Sequence, residues 1–78
     1  MDVVLEAYDR RGLVRDVSGL LTDEKISIER MTTETDRSTN IARIDVSMTI
    51  GNLQELSRLL TRLKSLPNVI SARRRGRD

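Results

Sequence analysis

The chain has 78 residues, including 14 lysines and arginines and 12 aspartates and glutamates, for a formal net charge of +2. This length supports one hydrophobic core and therefore one domain. Histidine and cysteine are absent and Tyr8 is the only aromatic residue, which excludes imidazole and thiolate catalysis, zinc sites of the usual nitrogen and sulfur type, and extended platforms for stacking RNA bases.

The charge is unevenly distributed along the sequence. Residues 1–57 have a net charge of −4, whereas residues 58–78 have a net charge of +6. The positive end indicates either a solvated helix face with a basic terminus or a surface that contacts an anion such as RNA. No apolar run is long enough to cross a bilayer and no signal-peptide pattern opens the chain, so we expect a cytoplasmic protein without membrane contact.

The first half of the sequence predicts a strand, a helix and a second strand. An apolar run beginning at Val3 leads into a polar turn at residues 9–12, which is typical of a strand that ends in a turn. The next apolar residues recur at helical spacing: Leu13, Val14, Val17, Leu20 and Leu21. A segment rich in β-branched residues follows at 26–35, and its apolar register shifts between Ile28 and Met31, which predicts a β-bulge.

The second half repeats this order after a polar hairpin turn at residues 36–40. Strict alternation of apolar and polar residues over 42–50 predicts a strand with one buried face. Asn52 followed by Glu55 is typical of a capped helix start. Leucines then recur at helical spacing: Leu53, Leu56, Leu59, Leu60, Leu63 and Leu66. A Pro-Asn pair ends the predicted helix, and residues 69–74 predict a short strand with a basic end.

This element order predicts an α+β domain with the split βαβ, or ferredoxin-like, arrangement. Four antiparallel strands form one sheet, and both helices lie on one of its faces. Such a sheet has two outer strands with unpaired edges, which small domains commonly cover by association. We therefore expect a homodimer through a sheet edge, or an intramolecular docking partner.

The sequence contains no identifiable machinery for catalysis. Its carboxylates lie at predicted turns and helix ends, without a nucleophile or base partner, and it lacks the glycine patterns of nucleotide-binding loops and the EF-hand pattern. We therefore predict no catalytic residue, no metal site and no cofactor.

The turn between the first strand and the first helix is one candidate binding site. Gly12 permits a tight turn there, and the free N–H groups of the helix start favour a carboxylate or phosphate. Arg10, Arg11 and Arg15 add positive charge at the same place. The alternative interpretation is that Gly12 supplies only the turn geometry.

The basic end of the chain is the second candidate site. Arg73, Arg74 and Arg75, with Arg77 beyond them, have the charge to contact RNA phosphates without reading bases. Recognition of single-stranded RNA by stacking is disfavoured, since Tyr8 is the only aromatic side chain.

Three stretches of sequence resemble one family: Tyr8–Val17, Asn52–Leu56 and Pro67–Arg74. They resemble the C-terminal ACT domain of Rel/Spo-type (p)ppGpp synthetases and hydrolases, and the similarity extends over essentially the whole chain. The first-turn residues are shared with ACT domains generally, whereas the paired arginines near the end are closer to the Rel/Spo group.

The resemblance implies that residues 1–78 form a single ACT domain at the C-terminal end of a longer protein, a GTP pyrophosphokinase or (p)ppGpp hydrolase. Such a domain is non-catalytic and transmits amino-acid starvation, in the stringent response, to the catalytic domains through ribosome, tRNA or intramolecular contacts. In ACT domains of metabolic enzymes the first turn binds an amino acid. Carried over to this chain, the site comprises Asp9, Arg10, Arg11, Gly12, Leu13 and Val14.

One residue departs from the amino-acid-binding pattern. Many such ACT domains have proline before the glycine, where this chain has Arg11. Two other functions stay open beside the starvation module: a branched-chain amino-acid sensor of a metabolic enzyme, and a structural dimerisation module.

Overall fold

The computed structural model describes residues 1–75, which form four strands and two helices. The elements are β1 (Asp2–Tyr8), α1 (Leu13–Asp23), β2 (Ser27–Asp36), β3 (Ile41–Thr49), α2 (Leu53–Lys64) and β4 (Val69–Arg74). The strands form one antiparallel sheet in the order β2, β3, β1, β4. The predicted order and the ferredoxin-like class are confirmed, and β2 and β4 are the edge strands.

The core lies between one face of the sheet and the two helices. The predicted alternation in β3 is confirmed, because its inward side chains are all buried: Ala42, Ile44, Val46 and Met48. Leu5 from β1, Leu21 from α1 and Leu59 from α2 complete the centre and are at most 1% exposed. Full burial of one such side chain contributes about 1.5–3 kcal/mol, so the apolar residues of both helices attach them to the sheet.

The opposite face of the sheet, called the open face here, is covered by neither helix of residues 1–75. Alternation along β1 places Val4 on it, outside the main core cluster, yet Val4 is only 1% exposed. Val4 lies directly opposite Asp45 of β3 and Arg73 of β4. The longer polar side chains around it therefore remove this valine from water without a second layer of structure.

Capping hydrogen bonds fix the start of α2 and the end of α1. At the start of α2, the Asn52 side chain accepts a hydrogen bond from the Glu55 N–H at 2.8 Å, as predicted. At the end of α1, Lys25 adopts φ 59°, and the Ile26 N–H donates to the Leu21 carbonyl at 3.0 Å. This is the Schellman type of helix end, which fixes the direction of the chain into β2.

The predicted bulge in β2 is confirmed. The register between β2 and β3 shifts between Ile28 and Arg30, so Glu29 is the additional residue. A second irregularity, between Glu6 and Ala7 in the pairing of β1 with β4, was not predicted.

Three details of the helices differ from the sequence prediction. Val14 and Leu53 are 42% and 69% exposed, although both follow the apolar spacing. Each lies in the first turn of its helix, at the edge of the stripe formed by the buried residues of that helix. Helix α2 ends at Lys64, ahead of the predicted Pro-Asn boundary, and Leu66 packs against the core from the following turn. Within residues 1–75, neither helix has the length and apolar character needed to span a membrane.

Candidate functional site

The predicted first-turn site begins where three loops are joined at the end of β1. The Tyr8 N–H donates to the carbonyl of Asn68, in the loop before β4, at 2.9 Å. The Asp9 N–H donates to the carbonyl of Asn40, in the hairpin between β2 and β3, at 2.8 Å. Both asparagines have positive φ, 71° and 61°, a conformation that asparagine adopts more readily than most residues. The turn therefore starts from a fixed position.

Gly12 directs the chain from this position into α1. Its φ is 81°, and it occupies the N-cap of α1 without a side-chain cap. The Leu13 N–H donates to the Arg10 carbonyl at 3.2 Å and the Asp16 N–H donates to the Gly12 carbonyl at 2.9 Å. The N–H groups of residues 14 and 15 have no intrahelical acceptor, as in the first turn of any α-helix. This helix start is thus suited to a negatively charged group.

Two arginines flank the turn. The Arg10 guanidinium lies 2.8 Å from the Asp16 carboxylate and 3.4 Å from the Arg11 carbonyl, and its side chain is 23% exposed. The Arg15 guanidinium approaches to 3.2 Å from the position that a Cβ on Gly12 would occupy. Arg10 is therefore already paired with a carboxylate, whereas Arg15 lies directly over the glycine.

The six predicted first-turn residues differ in their access to solvent. Leu13 belongs to the buried core, so its side chain supports the turn from below. The exposed residues are Asp9, Arg11 and Val14, and the half-buried ones are Arg10 and Gly12.

The three arginines predicted to contact RNA do not share one surface. Arg73 lies opposite Val4 on the open face, and Arg74 lies opposite Val3 on the face that carries the helices. The Arg75 N–H donates to the Asp2 carbonyl at 2.8 Å. All three side chains are exposed. Arg77, also part of this predicted basic segment, lies outside the described residues.

Arg75 also reaches the open face. Its guanidinium lies 3.7 Å from Asp45, which in turn lies 3.4 Å from Arg43. Together with Arg73, it forms the part of the basic end that faces the same side of the sheet.

One structural ion cluster was missed in the sequence. Glu24, the C-cap of α1, has a side chain only 6% exposed and forms salt bridges with Arg58, at 3.2 Å, and Arg62 of α2. The two arginines are four residues apart and therefore lie on one face of α2. That spacing was the available signal. Part of the positive charge after residue 57 thus joins the helices and compensates a nearly buried carboxylate.

The hairpin that supplies the Asn40 carbonyl is closed by Asp36. The Asp36 carboxylate accepts hydrogen bonds from the Ser38 hydroxyl at 2.7 Å and the Ser38 N–H at 2.9 Å. These bonds, the hydroxyl first and the N–H second, lower the pKa of Asp36 below its ordinary value of 3.8. An ionised Asp36 therefore favours the hairpin conformation that binds the end of β1.

Two of the surface clefts lie away from the first turn. One of about 560 Å³ lies between the end of α1 and the start of α2 and is lined by Glu24, Asn52 and Arg58 among others. Another, of about 150 Å³, lies on the open face beside Arg30 and Arg75. Within residues 1–75, no group of three or more carboxylates is arranged to hold a metal ion.

The fold and the first turn define a small α+β domain of the ferredoxin-like class, with a glycine-led start to its first helix. The family model described as the ACT domain matches residues 1–74. The chain belongs to the ACT domain family, whose fold is a small regulatory one and not a catalytic one.

Relatives with similar sequences carry the name GTP pyrophosphokinase. The protein of Escherichia coli K12 is 41% identical over 68 residues, which are 87% of this chain and 9% of that protein. The protein of Haemophilus influenzae is 36% identical over 74 residues, which are 95% of this chain and 10% of that protein. The chain therefore spans about a tenth of the length of the relatives it matches.

Solved structures show the same fold at low sequence identity. The crystal structure of the ACT domain from GTP pyrophosphokinase of Chlorobium tepidum has a TM-score of 0.83 and 15% identity, over 95% of this chain and 94% of that one. The small subunit of acetolactate synthase from Thermotoga maritima has a TM-score of 0.79 and 16% identity, over 94% and 45% of the two chains. These likenesses confirm the predicted ferredoxin-like ACT fold.

Proposed function

We propose that this ACT domain is the regulatory module of a longer cytoplasmic protein that synthesises or hydrolyses (p)ppGpp. The observation that carries the proposal is the 41% identity to a GTP pyrophosphokinase across 87% of this chain. Because the matched region is 9% of that relative, most of a protein of this type lies outside the domain. Residues 1–78 then form one domain in the C-terminal part, without a catalytic residue or cofactor of its own.

The proposed mechanism is a shift of population between two docked arrangements. In one arrangement the domain contacts the catalytic domains of its own protein, and in the other it contacts the ribosome or its bound tRNA. Amino-acid starvation changes which contact is available, and this is the signal of the stringent response. The domain biases the balance only by the difference in its binding free energy between the two arrangements.

The basic end supplies a surface for the ribosomal contact. Arg73 and Arg75 are exposed on the side of the open face, where guanidinium groups are able to pair with RNA phosphates. Because Arg74 points to the other face, we propose Arg73 and Arg75 as the principal contacts and Arg74 as an accessory one. Binding of this kind weakens steeply as salt increases.

Charge reversal tests the ribosomal contact. In the longer protein, Arg73→Glu is compared with Arg37→Glu, which makes the same change of charge in the exposed hairpin. We expect the first variant to lose cosedimentation with ribosomes at low salt and the second to retain it. Equal cosedimentation of both variants would contradict the role of the basic end.

The first turn favours a second function, the binding of a branched-chain amino acid. Gly12 leaves the start of α1 without a side-chain cap, and Arg15 lies above it, so a ligand carboxylate has both N–H donors and a cation nearby. Titration of the 78-residue chain with valine, leucine and isoleucine, followed by amide NMR, tests this function. Saturable shifts confined to residues 9–15 and weakened by Arg15→Gln support it, whereas flat titrations up to millimolar ligand exclude it.

We also propose a homodimer through a sheet edge. The dimer either serves the regulatory function or, in a purely structural dimerisation module, is itself the function. Strand β2 has ten residues, and only Met31 among them is even partly buried. An unpaired strand of this length presents a row of free backbone groups that a second copy satisfies. Sedimentation of the 78-residue chain tests the dimer, and a strict monomer at high protein concentration rules it out.

A further inference from the structure

The outer edge of β4 has no partner strand within residues 1–75. The Arg75 N–H donates inward, to the Asp2 carbonyl, and hydrogen-bonded pairs alternate along an antiparallel ladder. The same alternation directs the backbone groups of Arg73 toward β1, and those of Ala72 and Arg74 outward. The outward N–H and C=O groups are thus available to an added strand.

The side chains along this edge change from apolar to basic. Ile70, the extra residue at the irregularity in the pairing with β1, is 47% exposed. Arg73 and Arg75 lie on the side of the open face, and Arg74 lies on the side of the helices. Neither Arg73 nor Arg74 forms a salt bridge with another of residues 1–75. The basic half of the edge therefore has capacity for carboxylates on both faces of the sheet.

A second copy of β4 does not supply those carboxylates. The strand has the sequence VISARR, which contains no acidic residue. A two-fold axis at Ala72 places each arginine opposite an uncharged residue, and an axis at Arg73 or Arg74 places arginines opposite one another, which is repulsive. The charge of this edge thus favours a strand of different composition.

We propose that β4 accepts an added antiparallel strand with an acidic N-terminal half and an apolar C-terminal half, supplied by the longer protein from outside residues 1–78. The inference rests on the two docked arrangements proposed above and names the contact that forms the intramolecular one. In this orientation the acidic half lies opposite residues 73–75 and the apolar half lies opposite Ile70. Backbone bonds to Ala72 and Arg74 provide affinity, and the arginines select carboxylates.

The longer protein is the source of strand that suits so short an edge. The matched region is 9% of one relative and 10% of another, so most of a protein of this type is tethered to the domain. A tethered strand binds at a high effective concentration. That concentration offsets the cost of ordering an extended segment, which a free peptide bears in full.

The added strand and RNA compete for the same side chains. Arg73 and Arg75 are also the principal contacts proposed for RNA phosphates. A guanidinium group that pairs with a carboxylate of the added strand is not free to pair with a phosphate in the same geometry. Docking of the strand therefore opposes ribosome binding without any change in the fold of the domain, and the two contacts become mutually exclusive.

Hydrogen exchange at individual amides tests the strand addition. In the 78-residue chain, the outward N–H groups of Ala72 and Arg74 should exchange quickly, whereas those of Arg73 and Arg75 are protected by β1. In the purified longer protein without ribosomes, we expect exchange of the outward groups to slow by about 10-fold or more and that of the inward groups to stay the same. Outward groups that exchange equally fast in both proteins would overturn the proposal.

Variants at position 74 separate the backbone contribution from the charge. Arg74→Pro removes an outward N–H, a change that an edge strand tolerates, whereas Arg74→Gln removes only the charge and Arg74→Glu reverses it. In the longer protein, protection of the Ala72 N–H should be lost in the proline and glutamate variants and only reduced in the glutamine variant. Full protection in the glutamate variant would contradict the selection of carboxylates.

The control for the charge reversal is Arg37→Glu, which makes the same change in the exposed hairpin and should retain full protection of the Ala72 N–H. Circular dichroism of the 78-residue chain verifies that each variant is folded. The glutamate variant keeps its N–H, so it decides the test even if the proline variant does not fold.

Cross-linking identifies where the added strand comes from. A photoreactive residue in place of exposed Ile70 should cross-link, in the purified longer protein, to a segment of the same chain with carboxylates on its N-terminal side. A mixture of isotope-labelled and unlabelled protein distinguishes links within one chain from links between copies. Links between copies, or to a segment without carboxylates, would overturn the proposed source or its chemistry.

Failure of this inference is distinguishable from failure of the ribosomal contact. If the outward amides exchange quickly while Arg73→Glu abolishes cosedimentation with ribosomes, the added strand is overturned and the RNA contact is retained. If the outward amides are protected while Arg73→Glu leaves cosedimentation intact, the added strand is supported and its competition with RNA is overturned.

Discussion

The two junctions at which a strand leads into a helix occupy equivalent positions in the two halves of the domain, but they are built differently. Between β1 and α1, Gly12 turns the chain with φ 81° and provides no side-chain cap. Between β3 and α2, Asn52 has an extended backbone, φ −162°, and its side chain binds the Glu55 N–H. The second helix start is thus satisfied by its own side chain, while the first is left open beside two arginines.

This difference indicates which junction is available for a ligand. A capped helix start with Glu55 in its first turn already has an acceptor and a negative charge in place. The glycine-led start gives up the stabilisation of a cap and retains free N–H donors. The comparison predicts that changes at the first junction act mainly through backbone conformation, whereas changes at the second act through the cap.

The largest effect is expected for Gly12→Ala. A side chain at φ 81° is strained, so we expect the free energy of unfolding to fall by about 1–2 kcal/mol. The matched variant Gly51→Ala at the second junction should cost less than about 0.5 kcal/mol, because Gly51 is not among the residues with positive φ. Urea denaturation measures both, and equal losses would remove the distinction between the junctions.

The next effect is expected for Asn52→Ala. Loss of the 2.8 Å cap bond to the Glu55 N–H should lower the free energy of unfolding by about 1 kcal/mol. Asn52→Asp keeps an acceptor at the same place and should retain nearly all of the stability. If the two variants denature at the same urea concentration, the cap does not distinguish α2 from α1.

A smaller effect of opposite sign is expected for Gly19→Ala in α1. Gly19 is exposed within the helix, and an added Cβ meets no atom within 4 Å. The change should stabilise the domain by about 0.5–1 kcal/mol, since alanine is the better helix former. Ser57→Ala, at an exposed position in α2, provides the comparison and should gain less. Thermal denaturation of both variants checks whether the alanine in α1 raises the melting temperature more than the alanine in α2.

The smallest effect concerns acid and the hairpin that fixes the first junction. Because its folded pKa is depressed, Asp36 contributes stability that is present above its unfolded pKa of 3.8 and is lost as the pH falls through the folded value. As the pH falls from above 3.8 through the folded pKa of Asp36, the Asp36→Asn variant should therefore lose less stability than the wild type. Ser38→Ala, which removes the hydroxyl donor, should show an intermediate response. Urea midpoints measured across the range provide the test, and parallel curves would contradict it.

The sequence predicted the parts of the fold that depend on periodicity. The alternation in β3 and the leucine spacing in α2 report the angle of each side chain around its strand or helix. Leu53 follows the leucine spacing but lies at the edge of the stripe formed by the buried Leu56, Leu59 and Leu63, and it is 69% exposed. Periodicity does not report where an element stops along its axis, which is why α2 ends before the predicted boundary.

The candidate site was predictable in its location but not in its contacts. Gly12 and its arginines are contiguous in sequence, so local spacing indicated the first turn. The contacts that hold this turn come from Asn40 and Asn68, which are remote in sequence and become neighbours only through the strand order. The ion pairs of Glu24 with α2 depend on the packing of the two helices in the same way.

The hydrogen bond from the Arg75 N–H to the Asp2 carbonyl places the two ends of the described chain side by side. A short linker from residue 75 to Met1 is therefore compatible with the native sheet, and a new opening at exposed Gly51 preserves both asparagine contacts of the first turn. Such a circular permutant should fold to the same structure, because domains with adjacent ends tolerate this rearrangement. In this permutant residues 52–75 precede β1. The ribosome therefore synthesises α2 and the basic strand β4 before the more acidic residues 1–51.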